Sequence, residues 1–232
     1  MQEIQGRIVF DHLQKTGCQR VLEIGTAHGV SASYMAAAIA PRDGRVTTLD
    51  HAEATKLRDP APGDVLARAG VTPFVDRVLV GDSSYTWWLG DKIREQTRKG
   101  RCEPLYDFVY VDGAHNWTID GFSFFLVEKL LQPGGWILFD DLGWSYGSSA
   151  VSFGPGQSPD ALGLSPAERS EPHVARVFEL LVTQHAAFSN FIIQGDEWGW
   201  AQKVTDGRRT LQRVPLASAQ TRLRAALRSK LA

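Results

Sequence analysis

Five short apolar runs, most of them closed by an acidic residue and each separated from the next by a helical stretch, constrain this chain more than any other feature. They are residues 20–24 (RVLEI), 45–49 (RVTTL), 77–80 (RVLV), 106–111 (YDFVYV) and 136–139 (WILF). Apolar strands alternating with helices are the pattern of a parallel sheet covered on both faces. Helices are expected over 31–40, 64–69, 87–97 and 118–131; Pro41 stops the first, and Gln132-Pro133-Gly134-Gly135 closes the last. Ser170, Glu171 and Pro172 read as the start of another helix, with Val174, Val177, Phe178, Leu181, Val182 and Phe188 on its apolar face. Residues 191–193 and 198–204 then finish the sheet as two strands around the turn Gly195-Asp196-Glu197.

With 232 residues, 43% hydrophobic and 22% charged, the chain suits one α/β domain. Cys18 and Cys102 make neither a disulfide framework nor a zinc pattern. The N-terminus lacks a signal peptide's basic and apolar regions, and no apolar run approaches the ~20 residues that span a bilayer. A soluble cytoplasmic protein without membrane association is expected. The net charge is −1, yet Arg208, Arg209, Arg213, Arg222, Arg224, Arg228 and Lys230 follow Asp206 with no acid among them. Leu216, Leu223, Leu227 and Leu231 recur there at helical spacing, so an amphipathic basic helix is preferred to a nucleic-acid-binding tail.

In an open α/β sheet, ligands sit beyond the carboxyl ends of the strands, where the strand order switches. Asp50, Asp82, Asp112 and Asp140 follow four of the five strands, and Glu23 precedes the glycine of the first. Each alone is as well read as a helix cap; together they would converge on one sheet edge. The first turn, EIGTAHGVS over residues 23–31, carries Gly25 for a sharp turn and Gly29 for close approach. It fails the G-x-G-x-x-G fingerprint of dinucleotide sites, because Ala27 and Val30 hold its second and third glycine positions.

This turn resembles the E-x-G-x-x-x-G loop of class I S-adenosylmethionine-dependent methyltransferases. Residues 106–142, YDFVYVDGAHNWTIDGFSFFLVEKLLQPGGWILFDDL, resemble small-molecule O-methyltransferases, both the catechol type and the group with a D-G-x-H signature. The resemblance covers roughly residues 18–142. It implies a Rossmann-like sandwich: a seven-stranded, mostly parallel sheet with an antiparallel C-terminal strand and helices on both faces. The chain is expected to be one domain: an N-terminal helix (1–17), a cofactor-binding core (18–142), a substrate lid loop (143–172), a last helix and strands (173–206), and the basic C-terminal helix (207–232).

The resemblance also implies roles. Glu23, Gly25, Thr26, Ala27 and Ser31 would hold the methionine part of S-adenosylmethionine, Asp50 the ribose, with His51 lining the pocket, and Gly81, Asp82 and Ser83 the adenine. Asp112 would border cofactor and acceptor. Metal-dependent members hold magnesium on acids matching Asp112, Asp140 and Asp141, with oxygen ligands as a hard cation requires. In the other reading Asp140 and Asp141 are turn caps in a metal-independent enzyme. His115 is the candidate general base; catechol enzymes carry lysine at its place, and His28 and His51 compete for the role. Trp117 and Trp144 are candidate walls for a substrate or adenine ring. The expected partner is a small-molecule hydroxyl acceptor, with a homo-oligomer possible through the N-terminal helix or the 143–172 loop. The rival readings are a nicotinamide-dependent oxidoreductase and a nucleic-acid-binding protein.

Overall fold

The computed structural model describes residues 1–56, 58–81, 84–148 and 158–206. The expected adenine residues Asp82 and Ser83, the centre of the lid loop and the basic C-terminal helix lie outside these. In chain order the elements are α1 (Glu3–Thr16), β1 (Arg20–Ile24), α2 (Val30–Ile39), β2 (Arg45–His51), α3 (Ala52–Lys56), α4 (Pro62–Arg68), β3 (Val75–Val80), α5 (Tyr85–Gln96), β4 (Thr97–Arg98), β5 (Arg101–Cys102) and β6 (Tyr106–Val111). They continue with α6 (Trp117–Leu130), β7 (Leu131–Phe139), α7 (Pro166–Ser170), α8 (His173–Val177), β8 (Phe188–Gln194) and β9 (Trp198–Lys203).

Seven strands form one sheet in the order β3-β2-β1-β6-β7-β9-β8. β3, β2, β1, β6 and β7 are parallel; β9 runs antiparallel to β7, and β8 antiparallel to β9. The strand order reverses between β1 and β6, which makes the gap beyond Ile24 and Val111 the switch point.

Alternation along β6 builds the two cores. Phe108 and Tyr110 point to the α1–α2 face, with Val9, Leu13, Met35, Leu138 and Trp200. Val109 and Val111 point to the α5–α6 face, with Leu89, Phe124, Val127 and Phe178. Burial on both faces is why these strands read as continuous apolar runs. α1 lies so close to α2 that a side chain at Gly6 would meet the Tyr34 ring at 2.4 Å. α6 begins with Asn116, whose side-chain oxygen accepts from Thr118 N (2.9 Å) and Ile119 N (3.2 Å). Asn116→Ala is expected to cost about 1 kcal/mol of unfolding free energy, measured by urea denaturation.

Several expectations need correction. β7 begins at Leu131, not at Trp136, so the Pro133-Gly134-Gly135 stretch belongs to a strand with a register shift opposite Tyr106 and Phe108. The helix expected beyond Pro172 is short and continues as a π-helical turn over Phe178–Val182. The 143–172 stretch is not all loop: Ser165 and Glu168 form a reciprocal capping box for α7, with Pro166 in its first turn. α3 and the β4–β5 hairpin were too short to give a periodic signal. Among the described residues no helix is long and apolar enough to cross a membrane.

Candidate active site

The first turn is locked from below. Gly25 has φ +96°, and a Cβ there would lie 1.8 Å from the Asp112 carbonyl oxygen. Gly25 N donates to Leu49 O at 2.9 Å, and Asp112 N donates to Ile24 O at 2.9 Å, so the ends of β1, β2 and β6 are tied together. Glu23 is fully buried beneath this turn and accepts from the hydroxyls of Ser31 and Thr48. Thr48 also shares a 2.6 Å contact with the Thr26 hydroxyl. Desolvation pushes the Glu23 carboxyl up to about 8, against the lowering effect of the two hydroxyls. Glu23 and Ser31 therefore hold one another and support the turn from inside.

Above the turn, Ala27 adopts a left-handed conformation (φ 45°) and its N–H donates to Asp50 Oδ2 at 2.9 Å. Asp50 Oδ1 accepts from His51 N at 2.7 Å. Burial raises the Asp50 carboxyl from its ordinary value, and these two N–H donors oppose the rise. The His51 ring lies 4.9 Å from Tyr85, while His28 Nδ1 sits 3.0 Å from Pro60 O. Gly81 closes β3 with open space on its side-chain side.

The second half of the edge is held by a residue the sequence reading passed over. Asp120, on α6 and 1% exposed, accepts from Ala114 N (3.3 Å) and Asn116 N (2.8 Å), clamping the 112–116 loop. On that loop His115 takes a left-handed φ of 51°, and across from it Asp141 takes 58°. Non-glycine residues in this region cluster at functional edges because the surroundings must over-determine them. His115 Nε2 lies 3.0 Å from Asp141 Oδ2 and 3.3 Å from Asp112 Oδ1. Neither contact has hydrogen-bond alignment, so this buried nitrogen has charged neighbours but no directed partner. Burial disfavours the imidazolium, yet the carboxylates of Asp112 and Asp141 outweigh it and push His115 up to about 10. At neutral pH the ligand-free imidazole thus carries a proton, the opposite of what a waiting general base requires. Contact with His115 holds Asp141 below the usual carboxylate range.

Asp140 does not join this group. Its Oδ1 accepts from Trp198 Nε1 (2.7 Å) and Asp141 N (2.8 Å), and its Oδ2 accepts from the Tyr110 hydroxyl. Burial, with Asp112 nearby, pushes it up to about 6. The all-oxygen magnesium set Asp112–Asp140–Asp141 is therefore not assembled, because Asp140 faces inward to the sheet. Asp112, His115 and Asp141 instead bring one potential ligand atom each within 4.8 Å of one another.

An aromatic wall flanks the group. Trp144 lies 5.1 Å from the His115 ring, Tyr146 4.8 Å from Trp144, and His173 5.2 Å from Tyr146. His173 Nδ1 accepts from Trp117 N at 3.2 Å, and its Nε2 donates to Glu168 O at 2.8 Å, so α7 and α8 are pinned to the start of α6. Trp117 carries the Arg176 guanidinium 5.4 Å from its ring centre. Tyr146, His173 and Trp198 had no motif to announce them; Asn116 and Asp120 were visible only as a helix-start pattern.

The strand order, with a glycine turn at its switch point and acids along the same edge, defines a Rossmann-like α/β fold of the methyltransferase kind. The chain belongs to the methyltransferase-domain family, whose model matches residues 22–142, just over half its length. No curated protein sequence matches it significantly. Among solved structures, the O-methyltransferase from Bacillus cereus in complex with S-adenosylhomocysteine is 19% identical, covering 87% of this chain and 80% of that one, with a TM-score of 0.58. TomG, an O-methyltransferase of tomaymycin synthesis from Streptomyces achromogenes in complex with S-adenosylmethionine, is 22% identical over 88% and 82%, with a TM-score of 0.58. The S-adenosylhomocysteine-bound methyltransferase PaMTH1 of Podospora anserina is 16% identical over 88% and 80%, with a TM-score of 0.59. These likenesses are of fold.

Proposed function

We propose that the protein transfers the methyl group of S-adenosylmethionine to a hydroxyl oxygen of a small molecule. The observation that carries this reading is one sheet edge bearing both the latched turn, with Ala27 N on Asp50, and the Asp112–His115–Asp141 group. The cofactor complexes of similarly folded O-methyltransferases support it. Gly25, Thr26 and Ala27 would border the methionine moiety. Asp50 and His51 would meet the ribose, since each Asp50 oxygen keeps a lone pair beyond the one N–H bond it already accepts. Gly81, with Asp82 and Ser83, would meet the adenine.

In the reaction an acceptor oxygen attacks the sulfonium methyl carbon. The S–C bond breaks, its electron pair stays on sulfur, and the hydroxyl proton leaves. Asp112 offers a carboxylate beside His115 to receive that proton, and His115 holds the carboxylates in place. The Trp144 ring would set the acceptor against them. Catalysis is then mainly alignment and charge placement. No step is assigned to magnesium, because Asp140 is occupied by Tyr110 and Trp198. A small-molecule acceptor suits this edge better than a nucleic acid, given the acids that line it.

Isothermal titration with S-adenosylhomocysteine tests the reading. Saturable one-to-one binding is expected, weakened at least ~10-fold, or about 1.4 kcal/mol, in Asp50→Ala. A folded wild-type protein that binds none would refute it.

A further inference from the structure

We infer that the groove between α1 and the β8–β9 hairpin is a second small-molecule site, separate from the acid edge and suited to an aromatic carboxylate. The inference stands apart from methyl transfer, because none of the residues lining the groove belongs to the turn at Gly25 or to the Asp112–His115–Asp141 group.

Size and lining come first. The groove holds about 390 Å³, within the range of small-molecule pockets. It lies on the α1–α2 face of the sheet, where Trp136 of β7 and Trp200 of β9 meet His12 of α1. The His12 ring stands edge-on to Trp136 at 5.4 Å and tilted to Trp200 at 4.9 Å. Ile8 of α1 and Ile192 of β8 complete the apolar lining, and Ile192 is 50% exposed. Two indoles, an imidazole and two aliphatic chains offer a ring flat apolar walls.

The polar groups decide which kind of ring. Lys15 is the one charged residue along the groove; it is exposed and has no ion-pair partner among the described residues. Burial, aided by the charge of Lys15, holds the His12 imidazole down to about 4, so at neutral pH the ring is an uncharged wall and the ammonium stands alone. A ligand carboxylate would supply Lys15 with the counter-charge that the protein does not. Gln194 Oε1 accepts from Trp200 Nε1 at 3.1 Å, which leaves the Gln194 amide N–H groups to donate to a ligand. His12 Nε2 is buried with no hydrogen-bond partner. Buried polar atoms are normally satisfied, so this wall is one the protein does not complete by itself.

The test is isothermal titration of the full-length protein with 2-naphthoate and with the uncharged 2-naphthylmethanol, each with and without excess S-adenosylhomocysteine. One equivalent of 2-naphthoate is expected, bound at least fivefold tighter than the alcohol and unaffected by S-adenosylhomocysteine. Lys15→Ala, on the exposed side of α1, should bring the two probes within twofold of one another. Ile192→Glu, which sets a negative charge on the half-exposed wall, should weaken 2-naphthoate at least tenfold, with thermal unfolding as in wild type. Binding of neither probe, equal affinity for both, competition from S-adenosylhomocysteine, or a Lys15→Ala variant that keeps the preference would each overturn the inference. So would a dimer in sedimentation that Ile192→Glu dissociates, because the groove would then seat a second copy of the chain.

Discussion

Gly25→Ala is expected to leave no measurable S-adenosylhomocysteine binding and to destabilise the domain by several kcal/mol. A Cβ at this position would lie 1.8 Å from the carbonyl oxygen of Asp112, which is backbone and cannot rotate away. Relief would require parting β1 from β6, yet Gly25 N is bound to Leu49 O and Asp112 N to Ile24 O, each at 2.9 Å. The φ of +96° adds at least ~1–2 kcal/mol for any L side chain. Thermal unfolding and isothermal titration read the two effects separately. An alanine variant with wild-type melting and affinity would mean that the strand ends stand wider apart than described.

Glu23 offers the second large effect, and its two substitutions should diverge. Glu23→Ala strips the partner from the buried hydroxyls of Ser31 and Thr48 and leaves a void under the turn. At ~1–3 kcal/mol for each abandoned polar group, a loss of about 3 kcal/mol or more is expected. Glu23→Gln keeps an acceptor and the volume and removes only the charge. In the folded protein the carboxyl is pushed up to about 8, against 4.5 in the unfolded chain. Between those values the native state keeps a proton that the unfolded state has released. Stability contributed by this group therefore falls as pH rises from about 4.5 to 8 and levels above it. Asp140 and His115 fall in the same sense within their own windows, so the informative quantity is the difference between wild type and Glu23→Gln. Urea denaturation at pH 5, 7 and 9 should show the glutamine variant gaining on wild type with each step. A constant difference would show that Glu23 is ionised throughout.

Much of this was legible in the residues. Four of the five parallel strands declared themselves because burial on both faces leaves short, mostly apolar runs, and Gly25 and Asp112 followed from where those runs stop; β3, at the sheet edge and largely exposed, showed only its Val-Leu-Val run. The direction in which a carboxylate points was not legible. Asp140 and Asp141 are adjacent and chemically identical, but Tyr110 and Trp198 claim the first, while a left-handed backbone turns the second toward His115. Trp198 is 58 residues further along the chain than Asp140 and comes from an antiparallel strand, so no local spacing could announce the pairing. The burial of Glu23 was not legible for a similar reason: its neighbours Ser31 and Thr48 come from different elements, and only packing decides that it lies beneath the turn. The short helix at Pro166–Ser170 was readable from its Ser-Pro-x-Glu start, but it is too brief to carry an apolar period.

The indole of Trp198 on Asp140 also bears on synthesis. Beside it, Leu142 N donates to Glu197 O at 2.8 Å, and Gln5 Nε2 reaches Glu197 Oε2 at 2.7 Å. The turn before β9 is thus where the first helix, the end of the parallel sheet and the last hairpin meet. A nascent chain halted between β7 and that hairpin already carries the five parallel strands and the glycine turn. It nonetheless holds Asp140 without its indole donor, on the Tyr110 hydroxyl and the Asp141 N–H alone. The third of the bonds that turn this acid inward is made only once β9 has joined the sheet beside β7.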